Sequence, residues 1–239
     1  MKKNHLISIL IIILVYVAAS MLIHKSYILP GITDILVSLK DILLNGTFLK
    51  VVFTTLYRTF IGLLISFFIA LVLALCAYFN ETVRELLHPL YVLLKTIPNI
   101  TYIIVALLWL GRNGSVILVA SLVVFPIFYN SILNALLNID DSLIKVTRLY
   151  QGPILHKIIH VYLPLIKKDI LAALGNCCSL GFKVSIMAEI LSQVKSGIGK
   201  ELYYAKANFL MADIFAWTIL IILISSLFDH LISLFNKED

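Results

Sequence analysis

The chain has 239 residues, of which 61% are apolar and 13% are Asp, Glu, Lys or Arg, roughly half the charged share of an ordinary soluble domain. With a mean hydropathy of +1.03, this composition excludes a water-soluble globule, and at about 20 apolar residues per helical crossing the length accommodates six spans. The formal charge of +6 is scattered, which excludes a nucleic-acid patch and reads as loop charge that sets topology. Cys76, Cys177 and Cys178 lie in apolar stretches and form neither a disulfide framework nor zinc spacing.

The pattern predicts an all-α, polytopic membrane protein that is a single transmembrane domain over 1–239. The first span is expected at 6–24. It follows Lys2 and Lys3 like a signal peptide, but its apolar run exceeds the roughly 7 to 15 residues of a signal core, so it reads as a retained helix. Lys25 to Lys50 is a polar outer stretch, broken at Pro30 and Gly31, in which Thr33 to Leu44 reads as a short amphipathic helix with Thr33 as N-cap. The second span, 51–79, is too long for a perpendicular helix and should tilt or project. A third span is expected at 89–110, kinked by Pro98, and a fourth at 115–137, with Pro126 near its middle. A cytoplasmic segment, 138–164, precedes a fifth span at 166–193. After an outer loop holding Gly197 and Gly199, a sixth at 212–235 returns the chain to the side it started from.

Loop lysines and arginines favour the side that holds the termini. Lys2, Lys3, Arg84, Lys145, Arg148, Lys157, Lys167, Lys168 and Lys237 stand there, against Lys25, Lys40, Lys50, Arg112, Lys195, Lys200 and Lys206 opposite. The excess puts both termini in the cytoplasm of a multi-pass plasma-membrane protein.

Enzymatic constellations are absent from the sequence. His156 and His160 have an i, i+4 spacing but lack the Glu of a metalloprotease helix, Ser115 has no histidine to activate it, and no GxxxxGK[ST] loop occurs. Catalytic, cofactor and metal sites are therefore not expected. Charges inside spans are costly, about 2.5–3.5 kcal/mol each at a helix centre, and count as functional candidates. Lys183 and Glu189 on the fifth span, with Pro98 and Pro126, are the candidate translocation pathway. Arg58 and Lys95 read as near enough to span ends to snorkel. Gly62, Ser66, Ala70 and Ala74 recur every four residues and form a stripe on which helices approach closely, either within the chain or at a sliding or dimer interface.

In the cytoplasmic segment, Asp141 to Gln151 is helix-compatible, Gly152-Pro153 stops it, and Ile154 to Tyr162 resumes before Leu163-Pro164. Leu143, Ile144, Val146, Leu149 and Tyr150 are more apolar than a solvated loop requires, so the first helix should bury a face against a partner or the membrane surface.

These residues resemble the permease subunit of ABC importers that depend on a solute-binding protein, in the nitrate, taurine and aliphatic-sulfonate class. The likeness runs from about Leu29 to Leu231. It is carried by Leu29-Pro30 with Thr33 to Leu36, Thr55-Leu56-Tyr57-Arg58 with Gly62, Lys95-Thr96-Ile97-Pro98 with Trp109-Leu110-Gly111, Phe125-Pro126 with Asn130, Ala188-Glu189, and Gly197-Ile198-Gly199. Counting back from Leu163-Pro164, the family's Glu-Ala-Ala signature falls on Lys145, Val146 and Thr147, and its glycine on Gln151. Here Lys145 reverses the usual charge, and the glycine comes one place late as Gly152.

The resemblance implies a type I importer permease, most simply a homodimer with the solute path between subunits and no covalent chemistry of its own. Its segment Lys145, Val146, Thr147, Arg148, Leu149, Tyr150, Gln151, Gly152, Leu163 and Pro164 would dock into a cytoplasmic ABC ATPase, where ATP and Mg would bind. An extracytoplasmic solute-binding protein would deliver a small solute such as a sulfonate, nitrate or vitamin precursor. The other expected partner is membrane lipid, not nucleic acid. The alternative from another class is an ion-coupled secondary transporter in which Lys183 and Glu189 form the coupling pair.

Overall fold

A computed structural model describes residues 11, 14–22, 28–149 and 152–235, without the side chains of 146, 148, 149 and 233–235. Among these residues the fold is helical, with no strands: α1 Ile32–Leu44, α2 Phe48–Phe79, α3 Glu81–Thr96, α4 Asn99–Leu137, α5 Asp141–Leu149, α6 Ile154–Leu165, α7 Lys167–Ser192, α8 Ile198–Ala207 and α9 Met211–Phe235. Four of them, α2, α4, α7 and α9, are long and apolar enough to cross a bilayer. The expected first span falls only partly within the described residues, which are helical over 14–22.

Helix α1 starts two residues earlier than its sequence suggests. Its N-cap is Gly31, not Thr33, because the Asp34 carboxylate reaches back to accept the Gly31 N–H at 3.1 Å. Helix α2 has 32 residues, about 48 Å at 1.5 Å per residue against a hydrocarbon core of about 30 Å, so it must tilt or extend beyond the lipid.

The third pass departs most from the expectation. Helix α3 begins at Glu81, capped by the Asn80 side chain, which accepts from Thr82 N–H at 3.0 Å, and it runs straight through Pro89. Pro98 does not kink a continuous helix. Ile97 and Pro98 are extended, α3 ends at Thr96, and a new helix starts at Asn99 with Pro98 as its cap. The ring of Pro98 has no N–H to give to α3, and a proline disfavours helical geometry in the residue before it.

Within α4 the chain reverses. Gly111 has φ 64° and ψ −168°, a conformation that a side chain would strain, and it divides α4 into limbs 99–110 and 112–137. Asn99 and Val123 line one cavity, which a straight helix, rising about 1.5 Å per residue, would hold roughly 36 Å apart. The limbs therefore run antiparallel.

Limb 112–137 is the centre of the bundle, packed between α2 and α7. Its inward residues Phe128, Ile132 and Leu136 are fully buried with Ala70 and Ala74 of α2 and Cys177 of α7. A second cluster joins Ile103 and Ala106 to Val116, Val119, Val184 and Ala188, and a third joins Phe182 and Ile186 to Ile198 and Trp217. The small-residue stripe belongs to the first contact. Gly62, Ser66, Ala70 and Ala74 are all buried inside the protomer, and a Cβ on Gly62 would stand 2.9 Å from both the Ile117 carbonyl and the Ala120 Cβ.

Helix α6 continues through Leu163-Pro164 rather than stopping at Tyr162. The turn over Ile158–Tyr162 is π-helical; this wider turn relieves the clash that Pro164 would make with the carbonyl four residues back. Gly62→Val is expected to force α2 and α4 apart, a loss of about 1–3 kcal/mol typical of overpacking, measured as a lower unfolding midpoint in detergent, while Ser66→Ala leaves it unchanged.

Candidate functional site

Glu189 is fully buried near the C-terminal end of α7, and four groups from four places converge on it and its partner, Arg58. Arg58 of α2 donates to Glu189 Oε1 at 2.5 Å, while Oε2 accepts from Thr55 Oγ1 and from the Gly199 N–H, both at 2.9 Å. The same Arg58 donates to the Ser196 carbonyl at 2.7 Å and to Asn113 Oδ1 at 2.8 Å, and Thr55 Oγ1 accepts the Ile198 N–H at 2.8 Å. Gly199 lies in the first turn of α8, where the helix dipole favours a negative charge.

Local backbone chemistry builds this node. Gln193 ends α7 in the left-handed conformation, and the loop folds back so that a Cβ on Gly197, at φ 129°, would stand 2.5 Å from the Glu189 carboxylate. Close by, Ser115 and Ser192 join α4 to α7 through a 2.9 Å hydroxyl contact. Arg58, expected to snorkel, is only 7% exposed and is ion-paired instead. Glu189 is thus held by α2 and the start of α8, and its partner is Arg58 rather than Lys183.

Lys183 is exposed on α7, on the face that also carries the exposed Asp169, Ala172 and Asn176. The facing edge of limb 112–137 presents Asn130, Asn134 and Asn138, four residues apart and exposed. Two cavities follow this edge. One of about 380 Å³ is lined by Tyr91, Lys95, Asn99, Pro126, Asn130 and Ser131 among others. The other, about 470 Å³, shares Ser131 and continues past Asn134, Asn138, Asn176 and Asp169. Pro98 lies at the break beside Asn99, and Pro126 lines the first cavity. Lys95 stands in the last turn of α3, which starts at Glu81 and ends beside the break at Pro98. Its ammonium lies 5.8 Å from the Tyr91 ring centre.

Sequence reasoning missed the asparagine row, although three asparagines at period four in an apolar pass are a legible signal. It also missed Arg58 as the partner of Glu189.

In the 138–164 segment, Asp140 caps α5 by accepting the Ser142 N–H at 2.8 Å. Lys145 is exposed, Thr147 is buried with its hydroxyl donating to the Leu143 carbonyl, and Pro153 caps α6. Gly152 forms the bend between the two helices. Tyr150 and Gln151 lie outside the described residues, as do the side chains of Val146, Arg148 and Leu149. Leu163 and Pro164 form the last turn of α6. The Ser142 N–H and hydroxyl hold the Asp140 carboxyl below the usual aspartate range. The cap is therefore fully ionised at neutral pH and is lost only as pH falls through that lowered value.

Comparison with known proteins follows the same geometry. Residues 62–237 match the family of binding-protein-dependent transport system inner membrane components. The chain belongs to this family. It is 23% identical over 238 residues, 99% of its length and 86% of the relative, to the aliphatic sulfonates transport permease protein SsuC of Bacillus subtilis (strain 168). To SsuC of Escherichia coli (strain K12) it is 31% identical over 124 residues, 51% of this chain and 46% of that relative. A solved inward-facing structure of the MetNI methionine ABC transporter shares the fold with a TM-score of 0.64 at 19% identity, covering 77% of this chain and 94% of the other. The protein is an all-α, multi-pass inner-membrane permease of the ABC importer type, and its relatives are transport subunits rather than enzymes.

Removing one partner of the node leaves a buried charge alone. Arg58→Met and Glu189→Leu are each expected to lose about 3–5 kcal/mol of stability, and the double variant less than the sum, read as thermal unfolding in detergent. Asp140→Ala is expected to speed hydrogen exchange over 142–144, and Asp140→Asn, also a good N-cap, to restore protection.

Proposed function

We propose that two copies of this chain form the membrane path of an ATP-driven importer of small organic anions, sulfonates foremost. An extracytoplasmic binding protein delivers the solute, and cytoplasmic ABC ATPase subunits, which hold ATP and Mg, drive the cycle through residues 138–164. The carrying observation is the polar edge of the protomer. Lys95, Lys183 and the asparagine row stand exposed on passes otherwise clothed in apolar side chains. Lipid cannot solvate such a face; a second copy enclosing a water-filled path can. The resemblance in sequence to two SsuC proteins supports the sulfonate class.

The ATPase reading is supported by the capped α5, the bend at Gly152, and exposed apolar side chains of α6, Leu155 at 65% and Ile159 at 49%. ATP-driven closure would move this segment and, through α6, the start of α7. Lys145 implies a docking groove with an acidic residue opposite it. Both termini would lie in the cytoplasm.

The secondary-transporter reading loses its coupling pair. Glu189 is held by Arg58, Thr55 and Gly199, while Lys183 lies on the exposed face of α7.

Purification of the tagged chain in gentle detergent is expected to bring down a soluble ATPase in one-to-one ratio, identified by mass spectrometry and by ATP hydrolysis. Lys145→Glu is expected to weaken that association; tighter binding would overturn the acidic groove. A chain that purifies alone and moves solute in proteoliposomes without ATP would overturn the importer reading.

A further inference from the structure

The 380 Å³ cavity is an anion site within the permease itself, we infer: Lys95, Asn99, Asn130 and Ser131 take the oxyanion head of the solute, and an apolar wall takes its tail. This rests on the importer reading above and deepens it by naming where the solute pauses inside the membrane.

Depth is the first argument. Lys95 stands fourteen residues after Glu81 and fifteen before Leu110, on the pass made by α3 and limb 99–110. Pro126 lies fourteen residues after Arg112 and eleven before Leu137, and Leu180 thirteen after Lys167 and twelve before Ser192. All three line the one cavity. The midpoints of three separate passes therefore meet there, and the cavity lies in the middle of the membrane.

Charge is the second. A lysine at that depth is expensive unless a carboxylate or water-filled space receives it. Among the described residues no carboxylate pairs with Lys95; its neighbour is the face of the Tyr91 ring. The other polar groups on the wall, the Asn99 and Asn130 amides and the Tyr91 and Ser131 hydroxyls, can donate to an anion without carrying a competing negative charge. Lys183 follows Leu180 by one turn on the same helix face, so a second cation stands just outward of the cavity.

The broken backbone adds to both. Asn99 is the first residue of a helix that starts in mid-membrane, and its N-terminal end carries free N–H groups and the positive pole of the dipole. Discontinuous helices of this kind hold anionic groups in other transporters. Leu94, Val123, Ile127 and Leu180 supply the apolar wall. The volume lies within the roughly 300–1,000 Å³ of small-ligand sites, so a short alkyl chain ending in an oxyanion fits the pattern and a bulky cation does not.

The test reads the field of Lys95 directly. Membrane vesicles bearing the assembled complex would carry Asn130→Cys in a Cys76→Ser, Cys178→Ser background. Anionic sulfonatoethyl and cationic trimethylammonioethyl methanethiosulfonate would then be compared for their rates of reaction at that thiol. Lys95→Gln is expected to lower the anionic-to-cationic rate ratio about tenfold, Lys95→Arg to keep it, and butanesulfonate but not butylammonium to protect the thiol. A ratio indifferent to Lys95→Gln, or a thiol that neither reagent reaches, overturns the site. If cells with the wild-type chain still take up butanesulfonate in that case, the importer reading stands and only the site falls. If the ratio depends on Lys95 but butanesulfonate neither protects nor is taken up, the anion site stands and the sulfonate substrate falls.

Discussion

The buried pair of Arg58 and Glu189 holds one end of this bundle together. Two opposite charges removed from water gain little unless every remaining donor and acceptor is also met, and here they are: Thr55 and Gly199 complete the carboxylate, and Ser196 and Asn113 complete the guanidinium. Because those groups come from α2, the turn of α4, the loop after α7 and the start of α8, satisfying one carboxylate fixes the mutual position of all four. Gly197 and Gly199 are the geometric condition for it, since a Cβ on Gly197 would meet the carboxylate and one on Gly199 would meet the Glu189 Cβ and the Ile186 carbonyl.

Away from this pair the organising constraint changes from charge to backbone. Pro98 ends one helix and starts another, Gly111 reverses the chain, and a π turn carries α6 past Pro164. Each break lies beside polar groups or at a helix junction rather than on an uninterrupted apolar surface, as it must when lipid offers no hydrogen bonds to freed backbone groups. The small stripe of α2 plays the complementary part: it brings α2 close against limb 112–137, whose asparagine row stays exposed.

Much of this was legible in the amino-acid sequence. Hydropathy located the long helices because an apolar run of span length has few other homes, and the period-four small residues announced a close helix contact. The bend at Gly152-Pro153 was equally plain. The third pass was misjudged for a physical reason: Glu81, Arg84, Glu85 and His88 look like a loop, and Pro89 like a start, yet a helix can carry a polar first turn and a proline when its cap and neighbours permit. Arg58 and Glu189 were each visible as costly charges, but 131 residues separate them, and no local pattern encodes a pairing at that range.

That separation has a consequence for how the protein is made. At about 5–20 residues per second, the ribosome needs roughly 7–26 s to reach Glu189 after Arg58 has been synthesised, and through that interval the helix bearing Arg58 must enter the bilayer with its charge unmatched. Arg58 lies in the third turn of α2, close enough to that end of the helix for its long side chain to wait at the headgroups. The arginine's place in the chain thus serves two states in turn: a surface anchor for the unfinished protein, and a buried clamp once the fifth pass arrives.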